Sequence, residues 1–220
     1  MKKNIFLKVV AIIWAISGIV ILAGVIWPIF SYQAFSKENN QGLLNPVSVK
    51  AVFKVQDSLD LTKASNWFIG GEDSSAFSQS KVSYYNLSIS KLKINDAVVA
   101  IGGEDLSKNL IQYPGTALPG KKGNSVIFGH SVLPIFYNPK EYISIFSTLP
   151  TLKIGDDILI NYDNVSFKYR VESMFEVYPT DIQVLQQDNS DSFLTLVTCV
   201  PPGDPRKPKR LIVRARVVPL

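Results

Sequence analysis

Phe193-Leu194-Thr195-Leu196-Val197-Thr198-Cys199 is the stretch on which the fold reading turns. It is a short run of apolar and β-branched residues that suits a strand. It ends at Cys199 and runs into Val200-Pro201-Pro202-Gly203-Asp204-Pro205-Arg206-Lys207-Pro208-Lys209. Four prolines and a glycine make that loop stiff and non-helical. A second strand then begins at Arg210 and runs to Val218. If the two strands pair antiparallel across the loop, Cys199 and Arg210 lie at the same end of the sheet.

Working outward, the text upstream is also a series of short strands. Tyr85 to Leu92 alternates with period two, and Ala97 to Ile101 is a short apolar run closed by Gly102-Gly103. Ser125 to Phe128 is another, closed by Gly129. Asp157 to Tyr162 and Val165 to Val177 read as a hairpin with Asp163-Asn164 as its turn. Helical patterns are few, at Asp105 to Gln112 and Pro139 to Leu149. Strands at this spacing predict an all-β domain over residues 81–220, closed or nearly closed into an antiparallel barrel with a few short helices.

Residues 31–80 carry no clear pattern. Val47 to Val55 alternates in part and suits a strand, and Asp60 to Ile69 suits a short helix with Trp67 and Phe68 packed on the domain. A spacer between membrane and domain is the preferred reading, with a functional lid as the alternative. Before it, Val9 to Phe30 is uncharged over 22 residues. At about 1.5 Å per residue it spans roughly 33 Å, enough for a hydrocarbon core of about 30 Å. Lys2, Lys3 and Lys8 precede it and no charge follows until after Ser36, so residues 1–8 are expected in the cytoplasm and all beyond Phe30 outside. A cleaved signal peptide would have a shorter apolar region and a small-x-small site; here Trp27-Pro28-Ile29-Phe30 closes the run with bulk. The expectation is one uncleaved, single-pass anchor over 9–30.

Composition narrows the chemistry. The chain has one Cys and one His, so it holds no intramolecular disulfide and no ordinary Cys and His zinc site. The net charge of +5 is spread without a basic run longer than two residues. It suits solubility or a polyanionic envelope, and no nucleic acid is implied. Any thiol–imidazole chemistry must use Cys199 and His130, and both fall at strand ends, where rigid scaffolds carry functional loops. Arg210 is placed to lower the thiol pKa or to stabilise charge on a carbonyl oxygen. Arg206 sits within the loop, and Arg214 and Arg216 lie further along the strand. Unperturbed pKa values of about 8.5 and 6.5 make the thiolate–imidazolium pair a minor species, which points to a slow enzyme with a pH optimum between the two. A buried structural cysteine and a structural histidine are the bland alternatives.

A known family now enters on these residues. Thr195-Leu196-Val197-Thr198-Cys199 resembles the TLxTC signature of the sortases, and Arg210 before Leu211-Ile212-Val213 looks like their arginine. Asn124 to His130 is similar to the strand that ends in the sortase histidine, and Tyr113 to Gly120 resembles class D and E members. The resemblance covers about residues 83–220 in the order His, Cys, Arg. It implies an eight-stranded antiparallel or mixed barrel and a cysteine transpeptidase. Cys199 would attack the Thr–Gly bond of an LPxTG-like sorting signal, His130 would move the proton, Arg210 would hold the backbone or oxyanion, and Thr198 would lie on the substrate side. The acceptor would be an amine from a peptidoglycan precursor or a pilin lysine, and the donors would be secreted proteins with C-terminal sorting signals. No cofactor is expected; calcium at Asp181, Asp188 and Asp191 is the minor alternative. Rival functions are a non-catalytic, membrane-tethered envelope-binding module and a protease that only hydrolyses.

Overall fold

The computed structural model describes residues 2–35, 60–72, 74–77 and 83–220. The chain divides into two compact units after Glu38. The first is α1, Lys2–Phe35, apolar all round, with Trp14 and Trp27 facing outward. Its Lys8–Tyr32 stretch is long and apolar enough to cross a membrane by length and composition. The expected strand over 47–55 lies outside the described residues.

The second unit is a closed eight-stranded barrel. Its strands are β1 (Ser83–Ile89), β2 (Ile94–Ile101), β3 (Leu110–Gln112), β4 (Gly123–Phe128), β5 (Asp157–Tyr162), β6 (Val165–Val177), β7 (Ser192–Val200) and β8 (Lys209–Val218). They run in the order β1-β2-β3-β4-β7-β8-β6-β5. The pairs β2–β3 and β4–β7 are parallel and the rest antiparallel, so the barrel is the mixed form of the expected architecture. The β5–β6 hairpin turns on Asp163 and Asn164, both left-handed (φ 52° and 58°), as a two-residue turn between twisted strands demands.

Two expected helices are not helices. Asp105 has the look of a cap, but its Oδ1 accepts the Ser107 amide (3.0 Å) and hydroxyl (2.5 Å) in a tight turn. Leu110 to Gln112 then pairs with β2 and β4 as a strand. Residues 139–149 form successive turns closed by three-residue bonds, Ser144 N to Glu141 O and Ser147 N to Ser144 O, both 2.9 Å. Ser144 Oγ reaches back to Asn138 and Ser147 Oγ accepts the Val132 amide, so hydroxyls compete with a helical ladder. Within 60–69 only Ala64–Trp67 coils, as one 3-10 turn.

β7 is buried at all nine positions. Strand alternation explains why one covering layer does not suffice. Thr198, Leu196 and Leu194 share one face with Leu211 and Val213 of β8, inside the barrel. Cys199 and Val197 share the other with Ile212, Phe128 and Val126. That outer face is covered by Ala64, Trp67, Phe68, Phe77 and Val184, so β7 is sandwiched and reads as a continuous apolar run.

The hairpin turn gives a direct test. Asn164→Val puts a β-branched residue at φ 58° and is expected to cost about 1–2 kcal/mol, whereas Asn164→Gly is expected to be neutral or stabilising. Urea midpoints of the full chain in detergent measure both.

Candidate active site

Cys199 is directly opposite Arg210 in the β7–β8 register. Opposed residues on an antiparallel pair point their side chains to the same face, so thiol and guanidinium sit side by side on the outer face. Both are buried. Burial pushes the Arg210 pKa down from its ordinary value, and the neighbouring Cys199 pulls it back up.

His130 reaches the same place by its neighbours. Gly129 and Ser131 flank it and both bond to β7. Gly129 N donates to Val197 O at 3.1 Å and Gly129 O accepts from Thr198 Oγ1 at 2.8 Å. Ser131 Oγ donates to Cys199 O at 2.6 Å. The histidine is thus fixed beside Thr198 and Cys199 by backbone contacts on either side. Gly129 has to be glycine here, since a Cβ would come within 2.4 Å of the Phe146 ring and 2.6 Å of Leu110.

The described residue with the largest bearing on the site is Trp67. Its ring stacks on Phe128 at 5.2 Å and 11°, meets the His130 ring at 5.7 Å, and lies 5.5 Å under the Arg210 guanidinium. Its carbonyl accepts Arg210 Nε at 3.2 Å, while Lys207 O and Lys209 O accept Nη1 at 2.9 and 3.2 Å. The stretch around it is tied down on both sides. Ala64 N bonds Glu104 O at 3.1 Å, Leu106 N bonds Thr62 O at 3.0 Å, and Ile69 N bonds Pro179 O at 2.8 Å in the β6–β7 connection. Residues 60–72 therefore lie across the face that carries Cys199, His130 and Arg210. The expected packing of Trp67 and Phe68 on the domain is observed, but their position over this face carries no sequence motif.

Burial sets the histidine's state. Desolvation pulls the His130 pKa down to about 4, with Lys207 adding to the fall and Asp105 and Asp60 opposing it. Nε2 is buried and has no hydrogen-bond partner among the described residues. The imidazole is therefore neutral at pH 7, further from imidazolium than an unperturbed value would make it.

The remaining candidates separate cleanly. Thr198 lies on the barrel-interior face of β7, fully buried, with its hydroxyl bonded to Gly129. Arg206 holds the Asp204 carboxylate through Nε (3.0 Å) and Nη2 (2.7 Å). Arg214 pairs with Glu172 and Asp188, and Arg216 with Glu172 and Asp191. Only Arg210 of the four is registered against Cys199. Asp181 accepts the Tyr178 amide, while Asp188 and Asp191 face the two arginines. Among the described residues no three His, Cys, Asp or Glu side chains gather as a metal site.

A family model described as the sortase domain matches residues 87–218. Sortase A of Bacillus anthracis is 32% identical over 115 residues, covering 50% of this chain and 50% of that protein; the chain thus spans about half the length of that curated relative. A Clostridium perfringens sortase D5 transpeptidase has the same fold with TM-score 0.54 at 25% identity, over 79% of this chain and 100% of that one. Sortase A of Corynebacterium diphtheriae superposes with TM-score 0.57 at 23% identity, over 80% and 86%. With the family model spanning β1 to β8 and the same barrel in both structures, the chain belongs to the sortase family.

Proposed function

We propose that this sortase is a membrane-anchored cysteine transpeptidase acting outside the cell. Cys199 is the nucleophile, His130 the proton carrier and Arg210 the clamp on the substrate carbonyl. The observation that carries the reading is the meeting of all three on one face: Cys199 opposite Arg210, and His130 held by Gly129 and Ser131 against Thr198 and Cys199. Residues 9–30 are the anchor, 1–8 the cytoplasmic tail, 31–80 the juxtamembrane extension and 81–220 the catalytic domain.

The chemistry runs in two halves. The Cys199 Sγ–H proton passes to the neutral imidazole as sulfur attacks the Thr carbonyl carbon of an LPxTG-like signal in a secreted protein. The C–N bond to glycine breaks, the proton goes to the leaving amine, and a thioester remains. An incoming amine, from a peptidoglycan precursor or a pilin lysine, attacks that carbon. The C–S bond breaks and the amine proton returns to the thiolate by way of His130. Arg210 stabilises oxygen charge in both halves. Thr198 acts as a positioning residue: its hydroxyl holds Gly129 and hence His130.

Residues 60–72 occupy the place of the peptide. The Trp67 carbonyl on Arg210 stands where a substrate carbonyl would stand, and Ile69 N–H on Pro179 O supplies the backbone pairing a bound strand would make. Substrate entry displaces this stretch. Burying a ring of roughly 200 Å² is worth about 5 kcal/mol as an upper figure, so the covered state predominates without substrate.

The Cys199→Ala variant is expected to abolish cleavage of a fluorogenic sorting-signal peptide. Arg210→Ala is expected to lose about 10²–10³-fold in rate. Ligation of an added amine in place of water separates transpeptidation from hydrolysis. Full activity in Cys199→Ala would leave the non-catalytic binding module as the reading.

The cover has its own test, made simple by the lone histidine. In the wild type, NMR titration of His130 should give a pKa near 4. Trp67→Ala admits water, relieves desolvation and should raise it toward the ordinary value of about 6.5. Thiol alkylation of Cys199 should speed up in the same variant. An unmoved pKa with unchanged alkylation would show that Trp67 does not seal the site.

A further inference from the structure

Beyond the reaction, one apolar surface is left exposed by the described residues. The one-turn 3-10 helix Pro134–Phe136 follows His130 by four residues and exposes Ile135 (71%) and Phe136 (66%) to solvent. Leu133, just before it, packs on Gly203 of the β7–β8 loop, where a Cβ would come within 2.4 Å of its side chain. The turn therefore borders the catalytic end. Tyr137 Oη bonds Leu92 O, joining it to the loop between β1 and β2. Lys91 Nζ in turn binds Asp156 Oδ2 at 2.6 Å, which also accepts the Lys153 amide at 2.6 Å. Beside Lys153, Ile154 is 71% exposed. Three neighbouring loops are thus joined, and two of them carry exposed apolar tips, Ile135 and Phe136 on one and Ile154 on the other. Apolar tips clustered on an otherwise polar surface mark contact sites.

The charges around these tips identify the partner. Asp156 is taken up by Lys91, which leaves the exposed Lys93, Lys140 and Lys153 against Asp96 and Glu141. Apolar tips on loops with an excess of lysines match an anionic lipid surface, where side chains enter the headgroup boundary and ammonium groups meet phosphate. A protein partner would need a matching acidic, apolar surface; a second copy of this face would bring lysines against lysines. We infer that these loops dock the barrel on an anionic lipid surface. The inference rests on the proposed anchor, which keeps the domain tethered beside that surface. It assigns to Ile135 and Phe136 a contact that the transfer chemistry does not need.

The test uses the full chain, one copy per lipid nanodisc. Trp14→Phe and Trp27→Phe remove anchor fluorescence, and Phe136→Trp adds a reporter at an exposed position. In discs of phosphatidylglycerol with bromine on the acyl chains, the emission added by Phe136→Trp should be lost. In brominated phosphatidylcholine discs it should persist. Raising salt to about 1 M, where screening length falls to about 3 Å, should restore it, as should Lys93→Gln with Lys140→Gln and Lys153→Gln. Equal emission in both lipids overturns the inference. So does quenching that appears only as copies per disc increase, which would assign the face to a second copy. Failure of the chain to enter discs at all would instead sink the anchor, and this inference with it. Cleavage of a soluble sorting peptide should be unchanged in Ile135→Ser/Phe136→Ser, a further sign that the face serves placement.

Discussion

A guanidinium with no exposed surface is the constraint on which the rest of this site depends. Moving a charge out of water costs many kcal/mol unless hydrogen bonds replace the lost hydration. Arg210 is wholly buried, and the partners described for it are main-chain carbonyls: Trp67 O, Lys207 O and Lys209 O. Two of these belong to the approach to β8, so the β7–β8 loop must fold back on its own arginine. The proline-rich stretch does so with few alternative conformations to lose. The third belongs to a stretch more than a hundred residues earlier. That stretch is held over the barrel partly because the arginine needs its oxygen. Main-chain carbonyls hold the guanidinium at a fixed place and angle beside Cys199. A guanidinium held this way is suited to an oxygen that becomes negative.

The same cover governs the other two groups. With the Trp67 ring against His130 and over Arg210, water is kept from the imidazole and its pKa falls to about 4. A histidine held neutral by burial is chemically quiet, and under the proposed mechanism the cover must move before it can exchange protons with a substrate. The stack of Trp67 on Phe128 is one of the contacts that hold this cover in place.

Much of this was legible in the residues, and the legible parts share a cause. β5 and β6 were read to the residue because alternation and an Asp163-Asn164 turn are local signals. Cys199 and His130 stood out because each is the sole member of its type, and Arg210 because the length of a stiff loop places it. The misses are equally physical. Asp105 looked like a helix cap because an Asx turn and an N-cap use the same carboxylate bond. Residues 139–149 carry helical spacing, yet Ser144 turns its hydroxyl back on Asn138 and Ser147 spends its own on the Val132 amide. Thr198, expected to bind substrate, lies one residue along the strand from Cys199 and so on its opposite face, with its hydroxyl on Gly129.

Trp67 was the hardest part to read, and the reason bears on how the proposed reaction would be gated. Its partners, Phe128, His130 and Arg210, are scattered over the chain, and its key polar contact uses a carbonyl that every residue possesses. A cover that binds through its backbone and one large ring leaves almost no motif. A peptide substrate offers the same two things, carbonyls and apolar side chains, so it competes for the site on equal terms. If about 5 kcal/mol holds the ring down, the uncovered state is roughly one molecule in several thousand. Under the proposed function, a sorting signal must recover that cost through contacts on the β6–β7 connection and Arg210 before sulfur can attack. Peptides that supply only part of those contacts leave the cover in place. Selectivity then resides as much in what displaces Trp67 as in what fits beneath it.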